Sequence, residues 1–327
     1  NEKLRKIWPP SYYWYYNDWQ KKALKLAIKL EEAESFDIVH QLNMVGYREP
    51  GYLWKINKPF VWGPIGGLEN SPWLFLPSLG VKGFLYYLSR NVYNTLQRKF
   101  LNRPKRAAQR KKSRLIAATP SNRDLIDQFW NVRSEVICEV GHDSSAESII
   151  IPERKNGRKL KLVWSGLHIP RKNLTLLFDA LKKNKFQYKL HILGKGEMTN
   201  KWKLQAKKAG VEKHCVWHGW IPREKATEVM KKGHVFVITS ISDLTSTVTL
   251  EALSYGLPII CLDHCGFSHV VTDQCGIKIP VTTPKEAVHN FALALKELYN
   301  NEEYRQELSL GALQRAQDFS WEMKIEQ

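Results

Sequence analysis

Two acids and one turn of backbone carry the chemistry most legible in this sequence. Asp243 and Glu251 stand eight positions apart in the stretch 235–261, VFVITSISDLTSTVTLEALSYGLPIIC. A glutamate set among Leu250, Ala252 and Leu253 has little reason to be there unless something pairs with it. Backbone N–H groups at Ser246, Thr247 and Val248 point out of a helix N-terminus, where an anion such as a phosphate is favoured. A carboxylate at Glu251 can accept from the paired hydroxyls of a ribose, and Asp243, on the loop, can do the same for a sugar. The two acids also suit a plain helix cap and a half-exposed helix position, and the stretch alone leaves both readings open.

These groups need a strand to end beneath them and a helix to begin beside them. Residues 235–239 form a β-branched apolar run that suits a parallel strand buried on both faces. Ser240, Ser242 and Asp243 stop it, residues 247–255 carry helical spacing, Gly256 and Pro258 end the helix, and 259–262 begins another buried strand. The polar loop therefore lies at the carboxyl end of a strand, where open α/β sheets bind ligands. The same alternation runs through the chain. Strands are predicted at 36–42, 59–62, 114–118 and 134–138, with helices at 18–34, 89–110 and 121–129, the last opened by a serine cap at Ser121. After a polar stretch come strands at 162–166, 188–193 and 216–219, and helices at 171–181, 223–231, 287–299 and 302–319. An α/β fold of two parallel-sheet domains follows. Residues 1–143 make the first, 144–160 a linker, 161–312 the second, and 313–327 a closing helix that crosses back to the first.

The chain has 327 residues, enough for two cores, and a formal charge of +18, which calls for an acidic partner. Ten Lys or Arg and no acid lie between Arg90 and Arg114, just after an aromatic-rich piece, 73–88. That pairing suits an anionic membrane surface; a solvated basic helix beside core aromatics is the alternative. No run is long enough to span a bilayer, and no signal-peptide pattern opens the sequence. Five cysteines at irregular spacing fit reduced thiols in a cytoplasmic protein. Cys261, His264, Cys265, His269 and Cys275 match no zinc spacing, so no metal is expected.

Asp243-x7-Glu251, followed by AlaLeuSerTyrGlyLeuPro, resembles the E-x7-E signature of retaining GT-B glycosyltransferases, especially the GT4 family. Further pieces in order resemble the same family. SerGlyLeuHisIleProArgLysAsn at 165–173 is similar to its first glycine turn, LeuGlyLysGlyGlu at 193–197 to the next, and HisGlyTrpIlePro at 218–222 to the segment beside the base. GlyHisAsp at 141–143 resembles the hinge. The resemblance implies a GT-B fold and a metal-independent transfer from a nucleotide sugar to a glycan or lipid-linked acceptor, with retention. Lys172 and Arg171 would hold the donor diphosphate with the helix N-terminus at Ser246, Thr247 and Val248. Glu251 would bind the ribose, Asp243 the sugar, and Gly166, Gly194 and Ile221 would line the nucleotide site. His40 is the nearest candidate for the acceptor-side histidine, with Gly66 and Gly67 near the acceptor. Three departures stand out: Asp243 where glutamate is usual, Ser246 where glycine is common, and Leu167 in place of an arginine.

The family's first domain opens with a strand and a glycine-rich loop, and nothing before Phe36 has that form. The sequence reads as one that begins partway into its first domain, which implies nucleotide binding with poor transfer and an exposed edge on the first sheet. Synthesis of cell-surface polysaccharide or glycolipid at the inner face of the membrane is the expected setting. The rival readings are a basic nucleic-acid-binding α/β module, which leaves Asp243, Glu251 and the glycine turns unused, and an inactive relative kept for partner binding. No nucleic-acid motif is visible.

Overall fold

The computed structural model describes residues 11–326, apart from 43, 144–148 and 156–157. These residues form two compact units, 11–69 with 94–137, and 70–93 with 138–326.

The first unit opens with helix α1 (Ser11–Glu34), seven residues ahead of the expected start. Strands β1 (Val39–Gln41) and β2 (Phe60–Ile65) follow, then the last turns of α2 (Gly80–Phe100), α3 (Asn102–Ala108), β3 (Ser113–Ala117), α4 (Pro120–Trp130) and β4 (Glu135–Val136). The four strands are parallel, in the order β1-β2-β3-β4. Phe60, Trp62, Ile65, Leu115, Ala117 and Ile126 form the core, and Trp62 stacks on Trp130 at 5.7 Å. The cap of α4 is Thr119, not Ser121. Its Oγ1 accepts from Asn122 N at 3.2 Å, and Pro120 takes the first helical position, where its missing N–H costs nothing.

The second unit contains β5 (Leu160–Ser165), α5 (Thr175–Lys182), β6 (Tyr188–Leu193), α6 (Thr199–Lys208), β7 (Cys215–Gly219), α7 (Arg223–Lys231), β8 (Val235–Ile238), α8 (Thr247–Ser254) and β9 (Ile259–Leu262). Then come α9 (Cys265–Val270), β10 (Gly276–Ile279), α10 (Pro284–Asn300), α11 (Glu302–Gln317) and α12 (Trp321–Ile325). All six strands are parallel, in the order β10-β9-β8-β5-β6-β7. The chain moves outward from β5 to β7, then returns to place β8 on the other side of β5. The carboxyl ends of β5 and β8 are thus the switch point of the sheet, the place where a crevice opens.

One sheet face is covered through Leu162, Trp164, Leu190, Ile192, Phe178 and Phe291, the other through Val163, Phe236, Ile238, Leu250 and Leu253. The segment Asn70–Tyr93, which the sequence places inside 1–143, belongs to this unit: Phe75, Leu76, Leu79 and Tyr87 join its core. Asn91 closes the segment on itself, its Oδ1 accepting from Ser71 N at 3.0 Å and its Nδ2 donating to Ser71 O at 2.8 Å. The expected linker 144–160 lies partly outside the described residues. Of the remainder, Arg154 is buried and donates to Tyr299 O, and Leu160 is already strand. At the end of the chain, α12 packs on 138–142: Trp321 N donates to His142 O at 3.1 Å and Lys324 Nζ to Val140 O at 2.8 Å.

Candidate functional site

Three strand ends meet at the site with almost no side chain between them. Gly166 N donates to Leu193 O at 3.1 Å, and Gly194 N donates to Gly219 O at 2.8 Å. A Cβ on Gly194, whose φ is +107°, would stand 2.1 Å from Gly166 O, so only glycine fits there. Beyond β5 the chain makes a tight 3₁₀ turn, Pro170–Lys172, and leaves it through Asn173 in the left-handed region. The sequence read Arg171 and Lys172 as the opening of a helix, but the helix starts only at Thr175. The turn is tied to the end of β8 instead. Thr239 Oγ1 donates to Lys172 O at 2.6 Å while accepting from Trp164 Nε1 at 3.1 Å, and Ile241 N donates to Arg171 O at 2.9 Å.

This anchoring aims two cations at one carboxylate. Lys172 Nζ lies 2.5 Å from Asp243 Oδ2, and Arg171 Nη1 lies 3.1 Å from Asp243 Oδ1. Arg171 also donates to Ser242 O. Each carboxylate oxygen holds one cation and the trio keeps a net positive charge, an arrangement that tolerates burial because every charge is partnered. The neighbouring His168 adds no charge. Its Nδ1 is 2.8 Å from Thr199 Oγ1, and burial pushes its pKa down to about 4, so it is neutral near pH 7.

The loop that carries Asp243 enters α8 through Ser246, whose φ of +67° is one that side chains other than glycine adopt only at a cost. That explains why a glycine is common at the position in the family the sequence resembles. Ser246 makes no side-chain cap bond, so the first N–H groups of α8 are not closed off by it. The loop is held from behind by Glu139. Its carboxylate accepts from Thr245 N at 2.8 Å and from Thr245 Oγ1 at 3.2 Å, and the buried Cys138 thiol donates to the same hydroxyl at 3.2 Å. Nothing in the local sequence around Thr245 announces a partner 106 residues earlier.

A cleft of about 550 Å³ opens over these groups. Gly166, Arg171, Lys172, Gly194, Ile221, Asp243, Ser246, Thr247 and Val248 line it, so nine of the residues singled out in the sequence are brought to one surface. Leu167, half exposed, and Trp220 complete one wall. Glu251 is one helical turn beyond Thr247, outside this lining, with Oε1 3.3 Å from Nη2 of the exposed Arg223. Glu251 is the one charged residue of α8, and Arg223 on α7 is its partner here. His40 is elsewhere. It is exposed on β1 of the first unit, with Nε2 3.2 Å from Gly63 O. The cysteines read as reduced thiols are largely core: Cys261, Cys265 and Cys275 are buried, and burial pushes the Cys261 thiol up.

Comparison with known proteins places this arrangement. Residues 145–315 match the family of glycosyl transferases group 1. Over 192 residues the chain is 24% identical to lipopolysaccharide 1,6-galactosyltransferase of Salmonella typhimurium, covering 57% of this chain and 53% of that protein. Over 260 residues it is 28% identical to digalactosyldiacylglycerol synthase 1 of Glycine max, covering 73% of this chain and 29% of the relative. The chain thus spans about half the length, or less, of these curated relatives. Among solved structures, the lipopolysaccharide outer core galactosyltransferase WaaB superposes with a TM-score of 0.64 at 16% identity, over 94% of this chain and 78% of WaaB. Anabaena Alr3699/HepE, solved in complex with UDP, superposes with a TM-score of 0.64 at 14% identity, over 94% of this chain and 79% of that one. The fold is GT-B, and the chain belongs to the glycosyl transferases group 1 family.

Proposed function

We propose that this glycosyltransferase moves a hexosyl group from a nucleotide sugar to a glycan or lipid-linked acceptor, with retention, as one of the GT4 enzymes. The setting is cell-surface polysaccharide or glycolipid synthesis, in the cytoplasm at the inner face of the membrane. The observation that carries the reading is the Arg171–Lys172 turn facing the N-terminus of α8 across one cleft at the sheet's switch point. As the bond from the sugar to the diphosphate breaks, negative charge grows on the departing phosphate. Donors fixed in advance, the two cations and the N–H groups at Ser246, Thr247 and Val248, stabilise that charge without reorganising. The net positive charge around Asp243 supports diphosphate departure without a divalent cation. Asp243 exchanges part of its hold on Lys172 for a hydroxyl of the sugar, and Glu251 exchanges Arg223 for the ribose hydroxyls. Gly166 and Gly194 leave room for the phosphates, and Ile221 lies beside the base. His40 is assigned to the acceptor side.

Solved relatives are in complex with UDP, with UDP-glucose and, for a pneumococcal enzyme, with UDP and GlcNAc, which supports a uridine nucleotide as the donor carrier. A thermal-shift panel of nucleoside diphosphates and nucleotide sugars, run in EDTA, tests the proposal. Stabilisation by a nucleoside diphosphate is expected. No response to any of them, together with salt-steep binding to RNA, would replace it with the nucleic-acid reading.

A further inference from the structure

We propose that the outer face of α2, with the turn before it, docks on an anionic lipid bilayer. This deepens the proposed function by naming the surface that brings the enzyme to its acceptor, and it rests on that reading for the acceptor alone. The inner face of the helix within the second unit is Gly83, Tyr87 and Asn91, spaced four apart and buried. A Cβ on Gly83 would lie 3.2 Å from Pro170 Cβ, so this face rests on the turn that carries Arg171 and Lys172. Ser78 adds a bond there, accepting from Asn173 Nδ2 at 2.9 Å.

Among the described residues the opposite face has no such cover. Val81, Leu85 and Val92 fall within about 40° of one another around the helix, and they are 78%, 58% and 48% exposed. Trp73 and Leu74 precede them, and Tyr86 and Tyr93 flank them, all exposed. Single exposed apolar residues are ordinary, but a continuous group on one surface marks an interaction site.

Charge identifies the occupant. Between Asn70 and Tyr93 the sequence has no acidic residue, and Lys82 lies beside the apolar line. A second copy of a chain with a charge of +18 would be repelled from this face. A bilayer of anionic lipid offers acyl depth for Val81, Leu85 and Val92, an interfacial layer for the tyrosines and tryptophan, and negative headgroups for Lys82. Among the described residues no helix is long and apolar enough to cross a membrane, so α2 would lie along the surface.

Co-sedimentation tests this with vesicles of phosphatidylcholine alone and of phosphatidylcholine mixed with phosphatidylglycerol. The protein should bind the mixed vesicles, release as salt rises, and leave the neutral ones alone. The double variant Leu85→Glu/Val92→Glu should lose about tenfold or more in partitioning, and Lys82→Gln about fivefold. Leu204→Glu, at a 62% exposed leucine of α6, should change nothing. An unchanged thermal shift with UDP shows that the variants remain folded. Equal binding to both vesicle types, binding to neither, or wild-type binding by the double variant would overturn the proposal. So would light scattering that shows a dimer broken by the double variant with no lipid binding. Selective vesicle binding without any nucleotide response would leave the surface standing and remove the donor reading.

Discussion

Glu139 lies far from the cleft in sequence, yet the geometry makes the loop before α8 depend on it. Its carboxylate accepts two hydrogen bonds from Thr245, which is 1% exposed. Bonds to a charged acceptor contribute roughly 1.5–3 kcal/mol, and leaving the buried Thr245 N–H without a partner costs about 1–3 kcal/mol. The next residue, Ser246, is held at φ +67°, a strain of about 1 kcal/mol or more. Glu139→Ala should let that strain relax, turning the N–H groups at Ser246, Thr247 and Val248 away from the cleft. The loss of stability, about 2 kcal/mol, is then smaller than the lost bonds alone, because the relaxed strain offsets part of it. Ser246→Gly separates the two effects. It should be more stabilising with Glu139 present than in the Glu139→Ala background, by about 1 kcal/mol, since the entropy glycine adds to the unfolded chain is common to both and cancels. Affinity for UDP should move the other way, falling about fivefold in Glu139→Ala and recovering in the double variant. Urea unfolding of the four proteins and calorimetric titration with UDP read both quantities. Additivity within about 0.5 kcal/mol together with unchanged affinity would refute the coupling.

Gly194→Ala should cost about 3 kcal/mol or more, because its Cβ would meet the backbone oxygen of Gly166 at 2.1 Å; near wild-type urea stability would contradict this. Acidification should weaken the fold before ordinary carboxylates titrate. Burial pushes His168 and His191 down to about 4 and His234 down to about 3, so in the range above these values and below 6.5 the unfolded chain binds more protons. Stability therefore rises with pH through that window and is fully present above it. Glu49 and Asp179, raised by burial, oppose the trend just above the ordinary carboxylate range. A urea midpoint no lower at pH 5.5 than at pH 7 would count against the histidine account.

Much of the second unit was legible because its strands are short continuous apolar runs bounded by strong punctuation. Tyr188–Leu193 and Ile259–Leu262 have the bounds their β-branched and leucine content implies, and α8 starts at Thr247 as the capping residues indicate. Nine residues chosen for type and spacing line one cleft because they lie at the ends of adjacent strands in a single parallel sheet. What was not legible depends on distant contacts. The turn at 170–172 stays out of α5 because Thr239 and Ile241 hold its carbonyls, whereas the cap at Thr119 rather than Ser121 follows from the adjacent Pro120 and was open to a local reading. Asn70–Tyr93 carries no local mark that Phe75, Leu76 and Leu79 join the core of the second unit. Glu251 reads as an unpaired acid until α7 brings Arg223 beside it.

The central claim is that α8 and the turn before α5 form a nucleotide-sugar site in which Glu251 holds the ribose. Calorimetric titration of UDP into wild-type protein and into Glu251→Ala, both in EDTA, addresses it most directly. Two hydroxyls losing a charged acceptor should cost roughly 1.5–3 kcal/mol, a fall in affinity of about 10- to 150-fold, while the variant keeps its unfolding midpoint. Equal affinity in a folded Glu251→Ala protein would contradict the assignment.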